Sequence, residues 1–252
     1  MRLLRKSALP ACMALAWEIT AHSGIFSQLF MPSLEAIAAR VVQLLSNGVL
    51  LNAVAASLSR LVSGFSLGLI IGIAGGVALT RLGIMEGMAG RLIAALLASP
   101  VVAWTSLFVL WFGIGGPATT ALVTFSSSLP IMLNTWLGLR QTDPIFARVA
   151  DFLEVGRIRR IISVTVPAAS VSIFTGARLG FAQGWHALVA GEMLAGATHG
   201  LGVLIVNGRT FLDTPAMITG VATIGVLAYT TEVVVFGLIE RRTLIRWGLT
   251  RR

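Results

Sequence analysis

The sequence predicts an all-α integral membrane protein with six transmembrane helices. Three observations predict it. Of 252 residues, 56% are hydrophobic and 12% charged, about half the charged share of a soluble domain, and the mean hydropathy is +0.89. A chain this apolar cannot cover itself with polar surface in water, which argues against a cytosolic enzyme, a disordered protein or a disulfide-rich module. The apolar residues run in continuous blocks instead of alternating, so the spans are helices and not barrel strands. Nineteen Lys and Arg against ten Asp and Glu flank those blocks and gather on no face of a soluble element. They read as charges at lipid headgroups, not as a nucleic-acid surface.

The first block runs from about Ser7 to Ala21, after Arg2, Arg5 and Lys6. It reads either as a retained first span or as a secretory signal with Ala21-His22-Ser23 as a poor cleavage site. Trp17 and Glu18 suit an outer interface and favour the retained span. The others run from about Asn52 to Thr80, Leu92 to Phe112, Ala118 to Leu139, Ala168 to Ala197 and Ala216 to Ile239. Each can cross a core about 30 Å thick, which takes about 20 helical residues. With the N-terminus inside, the inner segments hold fifteen basic residues. Three precede the first span, two lie in the second loop (Arg81, Arg91), five in the fourth and five in the tail. The outer segments hold Arg40 and Arg209, a bias that puts both termini in the cytoplasm. The expected organisation is a first span with an outer segment at 1–51, a core at 52–240, and a basic tail at 241–252.

Gly113 to Pro117 is expected as a tight outer hairpin. Residues 140–167 form the substantial inner loop, with eight charged residues, and Phe146, Ala150 and Leu153 at helical spacing. This suits a short amphipathic helix pair, either on the bilayer surface or docked to a cytoplasmic partner. Gly64, Gly68, Gly72 and Gly76 recur every fourth residue, a stripe that lets another helix approach closely. Arg178, Trp185 and Glu192 are spaced by seven and share one stripe of the fifth span. Charge at that depth must face the protein interior or a wet path. Arg178 and Glu192 are too far apart to pair with each other, so each needs a partner on another helix, on another copy or in water. His186 follows Trp185 and points about 100° away. Asn134 and Ser126 to Ser128 are further polar residues inside a span, although such serines commonly bond to their own backbone.

No catalytic set is visible. Lys6 is the only lysine and lies in no Gly-Lys-Ser/Thr triplet, so the chain carries no P-loop. The lone Cys12 allows no intrachain disulfide and no Cys-based metal site. Metal ligation is not expected.

Val164-Thr165-Val166-Pro167 resembles the end of a known inner-loop pattern: Glu-Ala-Ala, three residues, Gly, nine residues, Ile-x-Leu-Pro. Counting back without gaps puts Arg148 on the Glu, Val149 and Ala150 on the alanines and Glu154 on the Gly, so the head of this EAA-like loop is degenerate. Gly156 falls on the Gly position only with a two-residue deletion. Downstream, Thr175-Gly176-Ala177-Arg178, Trp185, Glu192-Met193-Leu194 and Gly200-Leu201-Gly202 keep register. Upstream, Pro32-Ser33-Leu34-Glu35, Ser57-Leu58-Ser59-Arg60, Trp111-Phe112-Gly113-Ile114-Gly115 and Asn134-Thr135 continue it. Together they resemble the transmembrane permease subunits of bacterial ABC importers, the binding-protein-dependent group for nitrate, sulfonates, taurine and bicarbonate.

The resemblance implies a type I importer fold in the inner membrane and a path for a small anionic solute. It implies a second permease copy, two cytoplasmic ATPase subunits and a periplasmic or lipid-anchored solute-binding protein. ATP and Mg would sit on the partners, with no cofactor on this chain. The coupling loop would use Arg148, Ala150, Asp151, Glu154, Gly156, Arg157 and Pro167. The translocation path or inter-helix polar set would be Asn134, Arg178, Trp185, His186 and Glu192. A secondary transporter and a non-transporting assembly subunit are the alternatives.

Overall fold

The computed structural model describes residues 2–80, 86–141 and 166–240, with isolated positions between 145 and 163. Every regular element among them is helical: α1 (Arg2–His22), α2 (Leu34–Ser46), α3 (Val49–Leu79), α4 (Glu86–Ala98), α5 (Val101–Phe112) and α6 (Gly116–Gln141). A single turn at Val166–Ala168 precedes α7 (Ser170–Leu194), α8 (Leu201–Thr210) and α9 (Thr214–Thr230). A π-helical turn (Thr231–Phe236) and a last α turn (Gly237–Glu240) continue α9. Contacts divide the chain into two compact units, residues 1–57 with 198–226, and residues 58–197 with 227–252.

Among the described residues three helices are long and apolar enough to cross a membrane: Val49–Leu79, Gly116–Gln141 and Thr214–Glu240. The pair Gly87–Ala98 and Val101–Phe112 is a fourth if taken as one broken span. Within the third block, expected at 92–112, the chain bends, and the two halves meet at 98°. Pro100 is the cause. It lacks an N–H, and it biases Ser99 away from helical geometry. The freed groups are satisfied locally, since the Ser99 hydroxyl donates to the Leu96 carbonyl at 2.6 Å and accepts the Trp104 indole N–H at 2.7 Å. Pro130, inside α6, leaves the helix continuous. α1 and α7 are 21 and 25 residues long but are not apolar enough to join the membrane-crossing set. Arg2, Arg5, Lys6 and Glu18 lie in one, and Arg178, Gln183, His186 and Glu192 in the other.

The second unit is built around α6. Gly64, Gly68, Gly72 and Gly76 of α3 lie directly on it. A Cβ at Gly64 would sit 2.8 Å from Val123 Cβ, and one at Gly72 would sit 2.7 Å from Ile131 Cβ. A second stripe, Gly176, Gly180, Gly184 and Gly191 of α7, packs on α6 as well. Cβ atoms there would meet Asn134 Cβ at 2.7 Å, the Ser127 carbonyl at 2.7 Å, Ser127 Oγ at 2.9 Å and Thr119 Cγ2 at 2.8 Å. Glycine on both neighbours lets the three backbones close on one another, which is how helices gain dispersion contact where lipid removes the hydrophobic drive. Farther along α6, Trp136 and Leu129 close a small core with Leu79 and Ile93.

Candidate functional site

An ionisable group inside an apolar helix stays charged only if something nearby compensates it. Arg178 and Glu192 lie fourteen residues apart, about 21 Å along a helix, and each finds its partner on another element. Arg60 Nη1 of α3 donates to Glu192 Oε1 of α7 at 2.7 Å, with side chains 15% and 0% exposed. Gly116 makes room for this pair, because a Cβ there would lie 3.2 Å from Arg60 Nε. The expected hairpin packs beside it. Gly115 N–H donates to the Ala195 carbonyl at 2.7 Å, and Gly115 and Gly196 adopt φ of +108° and +68°, conformations that favour glycine. The end of α7, the start of α6 and Arg60 of α3 are thus fastened at one place.

Arg178 bonds Glu232 on the π-helical turn, and Glu240 Oε2 lies 3.9 Å from its Nη1. This cluster is more open, with Arg178 47% and Glu232 36% exposed. Aromatic rings brace it. Phe236 packs on Phe174 and Phe181 at centroid distances of 5.9 and 5.3 Å, and Phe181 stands edge-on to Phe65 and Trp185. Arg178→Gln and Glu232→Gln are expected to be non-additive by about 1 kcal/mol in thermal unfolding, the scale for residues sharing one contact. Additive losses in the double variant would show that the pair does not form.

Trp185 and Glu192 are buried while His186 is exposed, because successive helical residues point about 100° apart. The expected grouping of His186 with those two is thus not what the geometry brings together. The Trp185 indole N–H is buried without a partner among the described residues. Asn134 Nδ2 donates to the Pro130 carbonyl at 2.8 Å. The Ser128 hydroxyl likewise bonds to the Phe125 carbonyl on its own helix, at 2.8 Å. Of the expected coupling residues, Arg148, Ala150, Asp151, Glu154 and Arg157 lie outside the described residues. Gly156 and Pro167 are exposed. No cluster of three or more His, Cys, Asp or Glu among the described residues is placed to hold a metal ion. Arg60 and Glu232 were missing from the expected set, and so was the α7 glycine stripe. The last five apolar blocks hold two arginines and two glutamates at 60, 178, 192 and 232, and that charge balance is the signal that could have paired them.

Long apolar helices, glycine-lined contacts and ion pairs joining separate helices define a helical membrane protein. The model of the binding-protein-dependent transport system inner membrane component family matches residues 64–243, and the chain belongs to that family. It is 28% identical over 238 residues to the taurine transport system permease protein of Escherichia coli, covering 92% of this chain and 86% of that one. It is 33% identical over 231 residues to the riboflavin transport system permease protein of Chloroflexus aurantiacus, covering 92% and 85%. Its fold matches a chain of the MetNI methionine ABC transporter in inward-facing conformation, with a TM-score of 0.63 and 18% identity over 81% of this chain and 97% of that one. The protein is a multi-pass permease subunit of an ABC importer in the inner membrane, one that works with an ATPase and a solute-binding protein.

Proposed function

We propose that two copies of this chain form the path for a small anionic solute of the sulfonate, taurine, nitrate or bicarbonate kind. Two cytoplasmic ATPase subunits drive them, with ATP and Mg bound there, and a periplasmic or lipid-anchored protein delivers the solute. The chain itself binds no cofactor and does no covalent chemistry. The observation that carries this reading is the family match across 64–243, which takes in the charged loop at 140–167 and the whole of α7. In this reading the cytoplasmic ends of the first span and of the tail face the ATPase side, and six spans cross the bilayer.

The mechanism follows from how α7 is held. Closure of the ATPase dimer moves the loop around Ala150 to Ile162, and Pro167 lies in the turn that leads into α7. A lever transmits differential energy only if it is packed in both states. The glycine contact of α7 with α6 supports that rigidity, since the α6 side chains seat directly on the α7 backbone. Arg178, Trp185 and Glu192 then move with α7, and the path opens to the other side.

Reconstitution in proteoliposomes with the ATPase and binding protein tests this. Ala150→Glu is expected to abolish stimulation of ATP hydrolysis by the loaded binding protein while the complex still assembles. Normal stimulation would remove the loop from the mechanism. Uptake of a labelled sulfonate without ATP would mark a secondary transporter, and uptake of riboflavin in place of small anions would overturn the proposed solute class.

A further inference from the structure

We infer that α2, with the apolar turns beside it, is an in-plane anchor seated in the lipid–water interface. α2 has 13 residues and is about 20 Å long, too short to span a bilayer. Its faces divide into three sectors. At about 100° per residue, Leu34, Ala38, Val42 and Leu45 fall within about 80° of one another, and all four are exposed. Glu35, Ala36, Ala39, Gln43 and Ser46 occupy the next sector, about 100° wide, and are exposed too. The remaining sector holds Ile37, Arg40, Val41 and Leu44, which are buried or half-buried. One side of the helix therefore packs on protein, one is apolar and open, and one is polar and open. A helix needs two open faces of opposite character when it lies where two solvents meet. Its C-terminal end leads within three residues into α3 at Val49, a helix apolar enough to cross the membrane, so α2 sits where a membrane helix starts.

The neighbouring turns continue the apolar surface. Residues 23–33 carry no charge, and Ile25, Phe26, Leu29 and Phe30 are all exposed, Phe30 by 72%. The turn after α8 presents Phe211 and Leu212, exposed by 78% and 59%. Leu212 has φ of +55°, a left-handed conformation that costs a leucine about 1–2 kcal/mol and is usually left to glycine. An apolar side chain kept outward at that cost points to something apolar outside. These segments are fixed rather than loose. Thr214 Oγ1 bonds the Leu29 carbonyl, Arg40 pairs with Asp213, and Asp213 N–H bonds the Gly208 carbonyl at 2.8 Å. The Trp17 indole N–H reaches the Pro32 carbonyl at 3.0 Å, and Leu34 N–H reaches Glu18 Oε2 at 2.9 Å. A rigid, uncharged cluster of Phe, Leu and Ile beside a membrane helix fits a bilayer surface.

The test uses the full chain in nanodiscs of phosphatidylethanolamine and phosphatidylglycerol, in a Cys12→Ser background. Nitroxide labels go on Ala38→Cys and, separately, Ala39→Cys. Both alanines are exposed, so neither change disturbs packing. Label accessibility to oxygen, which favours lipid, is compared with accessibility to a water-soluble nickel chelate. The expected oxygen-to-nickel ratio is at least about threefold higher at 38 than at 39, with the same lipid signature for Phe211→Cys. A nickel-dominated label at 38 would put the sector in water. Low accessibility to both reagents at 38, or protection appearing only on adding the solute-binding protein, would make it a protein-docking face. Either result overturns the anchor.

Discussion

Glu192→Leu is expected to unfold the purified protein about 10 °C earlier than the parent. The variant takes the carboxylate away from Arg60, whose side chain is 85% covered, and breaking one side of a buried pair costs about 3–5 kcal/mol. The effect is not a statement that the pair is strongly stabilising. Desolvation of two charges offsets most of their attraction, so an apolar pair of similar volume does nearly as well. The double variant Arg60→Met with Glu192→Leu is therefore expected to recover most of the loss. Thermal unfolding followed by size-exclusion chromatography reads both. A single variant as stable as the parent, or a double variant as damaged as the single, would show that the two groups do not depend on each other. Transport separates stability from function: a double variant that folds but moves no solute would show that the ion pair serves the transport cycle as well as the packing.

The second large effect contrasts two glycines three residues apart on α3. At Gly72 an added Cβ meets Ile131 Cβ and Cγ2 at 2.7 Å and the Ser128 carbonyl at 2.9 Å. Neither a β-branched stem nor a backbone carbonyl can swing away, so α3 and α6 must part along their length. At Gly75 the nearest atom is the terminal methyl of Met132, the end of a flexible side chain that finds another rotamer. Gly72→Ala is expected to cost about 1–3 kcal/mol, the range for overpacking a well-filled contact, and Gly72→Leu to abolish assembly. Gly75→Ala is expected to be neutral or slightly stabilising, since alanine is the better helix former. Equal behaviour of the two alanine variants in detergent unfolding would mean that α3 does not press on α6 along this stripe.

Much of this is legible in the sequence alone. The α3 glycine stripe is visible because small residues repeat with the helical period, and period is local information. The need of Arg178 and Glu192 for outside partners follows from helical rise alone. The partners themselves were not legible. Arg60 and Glu232 lie 132 and 54 residues from Glu192 and Arg178, and no local spacing links residues so far apart. The break at Pro100 sat in plain view, yet Pro130 shows why it could be missed. The same residue type leaves α6 continuous and bends the chain by 98° between α4 and α5. Whether the freed backbone groups find partners within the helix decides between these outcomes.

Composition and block length determined that this is a helical membrane protein, because lipid demands long runs of apolar residues whose backbone groups bond within the run. The sequence also determined which residues would be costly to leave alone, since the price of an intramembrane charge depends only on its type and depth. Tertiary structure decided which charge meets which, that α6 is gripped by glycines from both α3 and α7, and that α2 leaves an apolar sector uncovered beside a polar one. Those outcomes depend on how helices distant in sequence are turned toward one another, and helix rotation is set by packing between elements rather than within them.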